Sequence, residues 1–141
     1  MRKPEPALGL VVRFNYLWNE EAQRGRTEGT KQRPCAIVVA QTGQGRSARV
    51  WLAPITHSPP RQAGDAIEIP PRVKAALGLD DASSWIVTTE LNSVAWDDAG
   101  IVPATPERWA YGFLPMALIK AVVDMTLAHQ RARRTIVERE T

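Results

Sequence analysis

Arg33-Pro34-Cys35-Ala36-Ile37-Val38-Val39-Ala40 is the stretch on which the fold turns. From Cys35 to Ala40 every residue is apolar and none alternates with a polar one. A run this short reads as a strand covered on both faces, and therefore central in its sheet. Gln41 to Ser47, with Gly43 and Gly45, reads as a hairpin connection. Arg49 to Thr56 is then the returning strand, and Pro54 implies an edge position or a bulge near its end.

Upstream, Gly9 to Trp18 is rich in β-branched and aromatic residues and alternates from Val12 to Tyr16, which predicts the first strand. Asn19 to Gln32 is polar, contains Gly25 and Gly29 and has no apolar period, so it is expected to be a long loop. Loops of that length in compact domains usually carry function or are disordered.

Downstream, a Pro- and Gly-rich loop from His57 to Asp65 leads to a short strand at Ala66 to Ile69. Pro71 to Leu77 predicts a two-turn helix, with Pro71 in its first turn and Gly78 ending it. Trp85 to Asn92 predicts another strand, continued by Ser93 to Trp96 past an irregularity. Thr105 to Gly112 is open between a capped helical turn and a plain turn. From Pro115 the chain is helical, with Met116, Ile119, Val123 and Leu127 or Thr126 on one stripe, as far as about Arg134. Residues 131–141 are expected to form a frayed basic tail.

Five or six short strands followed by a helix predict a mainly β chain with a C-terminal α-helix, folded as a small barrel or strongly curved antiparallel sheet. With 141 residues and 44% hydrophobic content, one domain spanning 1–141 buries a core without disulfides. The single Cys35 lies in an apolar run and suits a reducing, cytoplasmic setting. The N-terminal apolar stretch is broken by Arg13 and Asn15, so neither a signal peptide nor a membrane association is expected.

The formal charge of +3 is unevenly placed, with Arg24, Arg26, Lys31 and Arg33 in one segment and Arg131, Arg133, Arg134 and Arg139 in another. This favours a polyanionic partner, although a solvated loop and a basic helix end would look the same.

The two histidines, His57 and His129, are far apart and the cysteine is alone, so no metal-ligand spacing is present and no cofactor is expected. Gly43-Gln44-Gly45 precedes a strand rather than a helix and is no phosphate loop. RNA supplies its own nucleophile, the 2′-hydroxyl, and needs proton transfer and stabilisation of the phosphate oxygens. Arg33 suits the second task, since a guanidinium is always charged and grips two phosphate oxygens. The plainer alternative makes it one loop arginine among several. Thr56, likewise, is either a site residue or a strand-end threonine satisfying local backbone. His57 suits proton transfer near neutral pH, and Glu28 is a second candidate. Trp18, at the end of the first strand, is either core or a stacking platform for an unpaired base.

In their order these features resemble the MazF/PemK family of type II toxins, the mRNA interferases. The resemblance rests on the first strand opening at Gly9, Arg33 to Val39, Ala53-Pro54-Ile55-Thr56, Ser93 to Trp96 and Leu118 to Val122 in the last helix. It implies an SH3-like barrel with a C-terminal helix, and Arg33 and Thr56 as catalytic residues. Glu28 stands where some relatives place a helpful carboxylate. Arg24, Arg26, Lys31, Trp18 and Ser58 are then expected to bind substrate. The activity implied is metal-independent cleavage of single-stranded RNA by a homodimer that a cognate antitoxin inhibits. The alternative is a non-catalytic binding protein on the same fold, either an RNA-binding regulator or a gyrase-inhibiting toxin of the CcdB type. Gyrase poisons of that type end in an apolar, Trp-containing tail, unlike Val137 to Thr141 here.

Overall fold

The computed structural model describes residues 1–29, 31–41, 48–132 and 135–139. The predicted hairpin connection at Gln41 to Ser47 lies, apart from Gln41, outside the described residues. In chain order the elements are β1 (Leu10–Phe14), α1 (Asn19–Gln23), β2 (Arg33–Gln41), β3 (Arg49–Thr56), β4 (Ala66–Glu68) and α2 (Pro71–Leu77). They continue with β5 (Trp85–Val87), β6 (Glu90–Ala95), β7 (Ile101–Val102), β8 (Gly112–Phe113), α3 (Met116–Arg131) and β9 (Thr135–Glu138). The chain is mainly β, as its periodicities predict, with more and shorter strands than the sequence shows.

The strand beginning at Arg33 is central. β2 pairs antiparallel with β1 on one side, Phe14 opposite Arg33, and with β3 on the other. Cys35, Ala36 and Ile37 are fully buried. The register then shifts between Ile37 and Val39, and Val39 is 44% exposed, so the far end of the apolar run leaves the core. An irregularity of this kind twists a strand and re-aims its side chains.

β3 is an interior strand rather than an edge. Its outer side pairs with β6 through Arg49 to Leu52 and with β5 through Ile55 and Thr56. Pro54 sits between the two partners, a place where a missing N–H interrupts neither ladder. The whole path runs β4-β5-β3-β2-β1-β7, with β8 also on β1 and no pairing between the two ends among the described residues.

Both faces of the sheet are covered. One face packs Val11, Ala36, Ala53 and Ile55 against Ile119 and Val122 of α3 and Leu77 of α2. The other gathers Val12, Phe14, Cys35, Ile37, Leu52, Val94 and Ile101, all from strands and without a helical residue.

α2 and its stop fall where they were expected, with Gly78 in the left-handed conformation at φ +73°. The polar segment after Trp18 is not wholly a loop, because Asn19–Gln23 forms α1, whose Glu21 carboxylate accepts the Trp18 backbone N–H at 3.1 Å. On α3 the buried stripe is Ile119, Val122 and Thr126, while Met116 is 71% exposed. Ile119 and Thr126 of the predicted stripe are buried as expected, whereas Val122 takes the core place expected of Val123, which is only partly buried, and Leu127 is 45% exposed.

The end of the chain differs most from expectation. Instead of fraying, residues 135–138 pair in parallel with β6, Thr135 opposite Glu90 and Glu138 opposite Ser93. Arg139 is buried and donates from Nη1 to Asn92 Oδ1 at 2.9 Å and to the Asn15 carbonyl at 3.1 Å. Among the described residues no helix is long and apolar enough to cross a membrane.

Candidate active site

Arg33 opens β2, so its backbone is held by the pairing with Phe14 while its side chain leaves the sheet end. Its guanidinium carbon lies 5.1 Å from the centre of the Trp18 ring, and Tyr16 supports that ring edge-on at 5.2 Å. Stacking on an indole favours a cation and limits where its planar head can point. Arg33 Nε is buried and has no hydrogen-bond partner among the described residues. A buried donor without an acceptor costs about 1–3 kcal/mol.

The space beside it is a cavity of about 590 Å³, lined among others by Trp18, Lys31, Arg33, Thr56, His57 and Ser58. The β2–β3 pairing explains the meeting of Arg33 and Thr56: Cys35 faces Pro54, so the start of one strand lies beside the end of the other. Thr56 Oγ1 accepts the Ser58 backbone N–H at 3.1 Å. That bond is the local turn anticipated for a strand-end threonine, and it leaves the hydroxyl proton available for a second acceptor. His57 Nε2 lies 2.9 Å from Asp80 Oδ2 and 3.1 Å from Oδ1.

Three of the expected site residues lie elsewhere. Glu28 and Arg26 line a different cavity of about 910 Å³, together with Asn15, Asp97, Asp98 and Arg139. Arg24 pairs with Glu20 at 2.6 Å on the exposed side of α1. The formation of α1 and the turn after it separates these residues from Arg33, although they are its neighbours in sequence.

The cavity also contains residues that the sequence did not single out, namely Arg61, Thr89 and Glu90. Glu90 begins β6, and its Oε1 accepts the Asn19 N–H at 2.8 Å and the Tyr16 hydroxyl at 3.1 Å. Burial pushes the Glu90 carboxyl above its ordinary pKa, against the opposing effect of those two hydrogen bonds. The one signal for it was an acid within the strand predicted from Trp85 to Asn92. Asp80 behaves in the opposite way: its hydrogen bond from Lys74 is the main reason its pKa is lowered.

The chain matches no protein-family model and no curated protein sequence. What the cavity does is therefore argued from its chemistry. It brings together the cations Lys31, Arg33 and Arg61, the hydroxyl of Thr56, the imidazole of His57 and the carboxyl of Glu90. Among the described residues no three His, Cys, Asp or Glu side chains cluster as metal ligands would.

Proposed function

We propose that the protein is an endoribonuclease that cleaves single-stranded RNA without a metal, on an SH3-like barrel of the MazF/PemK type. The observation that carries this reading is Arg33: a half-buried guanidinium over the Trp18 ring at the wall of a cation-lined cavity, its Nε without a hydrogen-bond partner among the described residues. A phosphate is the group that such a donor lacks. The strand-only core on one face of the sheet supports the barrel.

In the proposed reaction, O2′ of the substrate attacks the adjacent phosphorus as the bond to O5′ breaks, giving a 2′,3′-cyclic phosphate and a 5′-hydroxyl. His57 takes the 2′-hydroxyl proton. Glu90, whose burial favours its protonated form, gives a proton to the departing O5′. Arg33 and the Thr56 hydroxyl hold the phosphate oxygens as negative charge accumulates on them. By the same resemblance the working unit is a homodimer, silenced by an antitoxin.

The test is cleavage of a single-stranded RNA in EDTA by the purified protein. Arg33→Ala should lower kcat by about 10²–10³-fold, the usual effect of removing one oxyanion donor. Equal rates for the two proteins would refute the assignment.

A further inference from the structure

Lys74 on α2 is almost wholly buried, which is rare for a lysine unless each of its protons has an acceptor. Here each does: Asp80 Oδ1 at 2.8 Å, Ser84 Oγ at 2.7 Å and the Ala82 carbonyl. The buried ammonium thereby organises residues 80–84, the loop between α2 and β5. Asp80 is the member of this group that reaches outward, and both its carboxylate oxygens approach one nitrogen of His57.

The identity of that nitrogen matters. A carboxylate that also accepts from an ammonium is an acceptor on both oxygens, so His57 Nε2 must be the donor. In the neutral ring the lone pair then resides on Nδ1. His57 faces two cavities that share Lys31 and Arg33, and Asp80 lines the second of them.

We propose that Asp80, anchored by Lys74, is the positioning residue that holds His57 with its proton on Nε2, leaving Nδ1 to accept the 2′-hydroxyl proton of RNA. This rests on the ribonuclease reading of the Arg33 cavity. It gives α2 and its following loop a part in the reaction: the helix secures a lysine, the lysine secures an aspartate, and the aspartate secures the ring. When Nδ1 gains the substrate proton, the resulting imidazolium still donates from Nε2 to Asp80, and no further proton moves along the chain of contacts.

The experiment compares wild type, Asp80→Ala, Asp80→Glu and, as a neighbouring control, Asp81→Ala. RNA cleavage in EDTA is read alongside the ring N–H proton of His57 in protein labelled with ¹⁵N-histidine. Wild type and Asp81→Ala should show a ring N–H that exchanges with solvent more slowly than a free imidazole's, held by Asp80 although the two side chains are 61% and 53% exposed. Asp80→Ala should lose that signal and drop kcat by roughly 10–100-fold, the range found when a residue orienting a metal-bound imidazole is removed, with KM unchanged. Asp80→Glu should restore part of both. Wild-type kcat in Asp80→Ala, or the absence of the ring signal in wild type, overturns the proposal while leaving the Arg33 assignment standing. RNA left whole by the wild-type protein overturns the underlying reading as well.

Discussion

Glu90 shows how a single residue couples the site to the stability of the fold. Burial raises its pKa in the folded chain above the ordinary value of 4.5. A group shifted in this direction contributes its full stabilisation below the unfolded pKa and loses it as pH rises through the folded one. Glu90→Gln should therefore melt higher than wild type at about pH 8 and no higher at about pH 4, as thermal unfolding at the two pH values will show. The same variant should cleave RNA poorly, since an amide donates no proton to a leaving oxygen. Sequence alone made Arg33 and Thr56 visible because each stands where a readable strand meets a polar segment. Glu90 was hidden, because its importance comes from Tyr16 and Asn19, which meet it only through the fold. Glu28 had the opposite fate: close to Arg33 in sequence, it faces another cavity once α1 has formed.

Among the elements, α2 and α3 were legible because their stop signals and apolar periods are local. Gly78 adopts φ +73°, a conformation that strains any residue with a Cβ, so Gly78→Ala should cost about 1 kcal/mol in urea unfolding. On α3, Ile119 and Met116 provide a matched pair. Ile119→Ala should destabilise by about 2–5 kcal/mol, since Ile119 is 1% exposed in the core beneath the helix. Met116→Ala should change stability by less than about 0.5 kcal/mol, because that side chain is 71% exposed. The sequence stripe treated the two alike. A period of three and four residues gives the width of a helix face, and the element it meets decides the exact rotation. The division of the predicted strand at Trp85 to Asn92 into β5 and β6 was invisible for a related reason: β3 pairs with each in turn, and the break between them follows from β3's own change of partner.

At the scale of the whole molecule, a formal charge of +3 says little, and the placing of Lys31, Arg33 and Arg61 around one cavity says more. If these three cations contact phosphates, the logarithm of single-stranded RNA affinity should fall against log salt with a slope of about −2. Arg61→Ala should make that slope shallower by about 0.7, measured by fluorescence anisotropy in a salt series on a single-stranded RNA carrying 2′-O-methyl groups, which block cleavage and leave all three cations in place.

The parallel pairing of residues 135–138 with β6 was beyond the reach of sequence reading, since it joins segments separated by the whole of β7, β8 and α3. Along residues 90–93 it covers the side of β6 that β3 does not occupy. An uncovered strand of this kind is a template on which other chains grow, and many proteins guard such an edge with charge or proline. Here the guard is a piece of the same chain, clasped by Arg49 to Glu138 at 3.0 Å and by the burial of Arg139. A chain cut after Ala132 would keep most of its core yet offer a bare edge to its neighbours. Such a protein should turn cloudy and bind thioflavin at concentrations where the full chain stays clear.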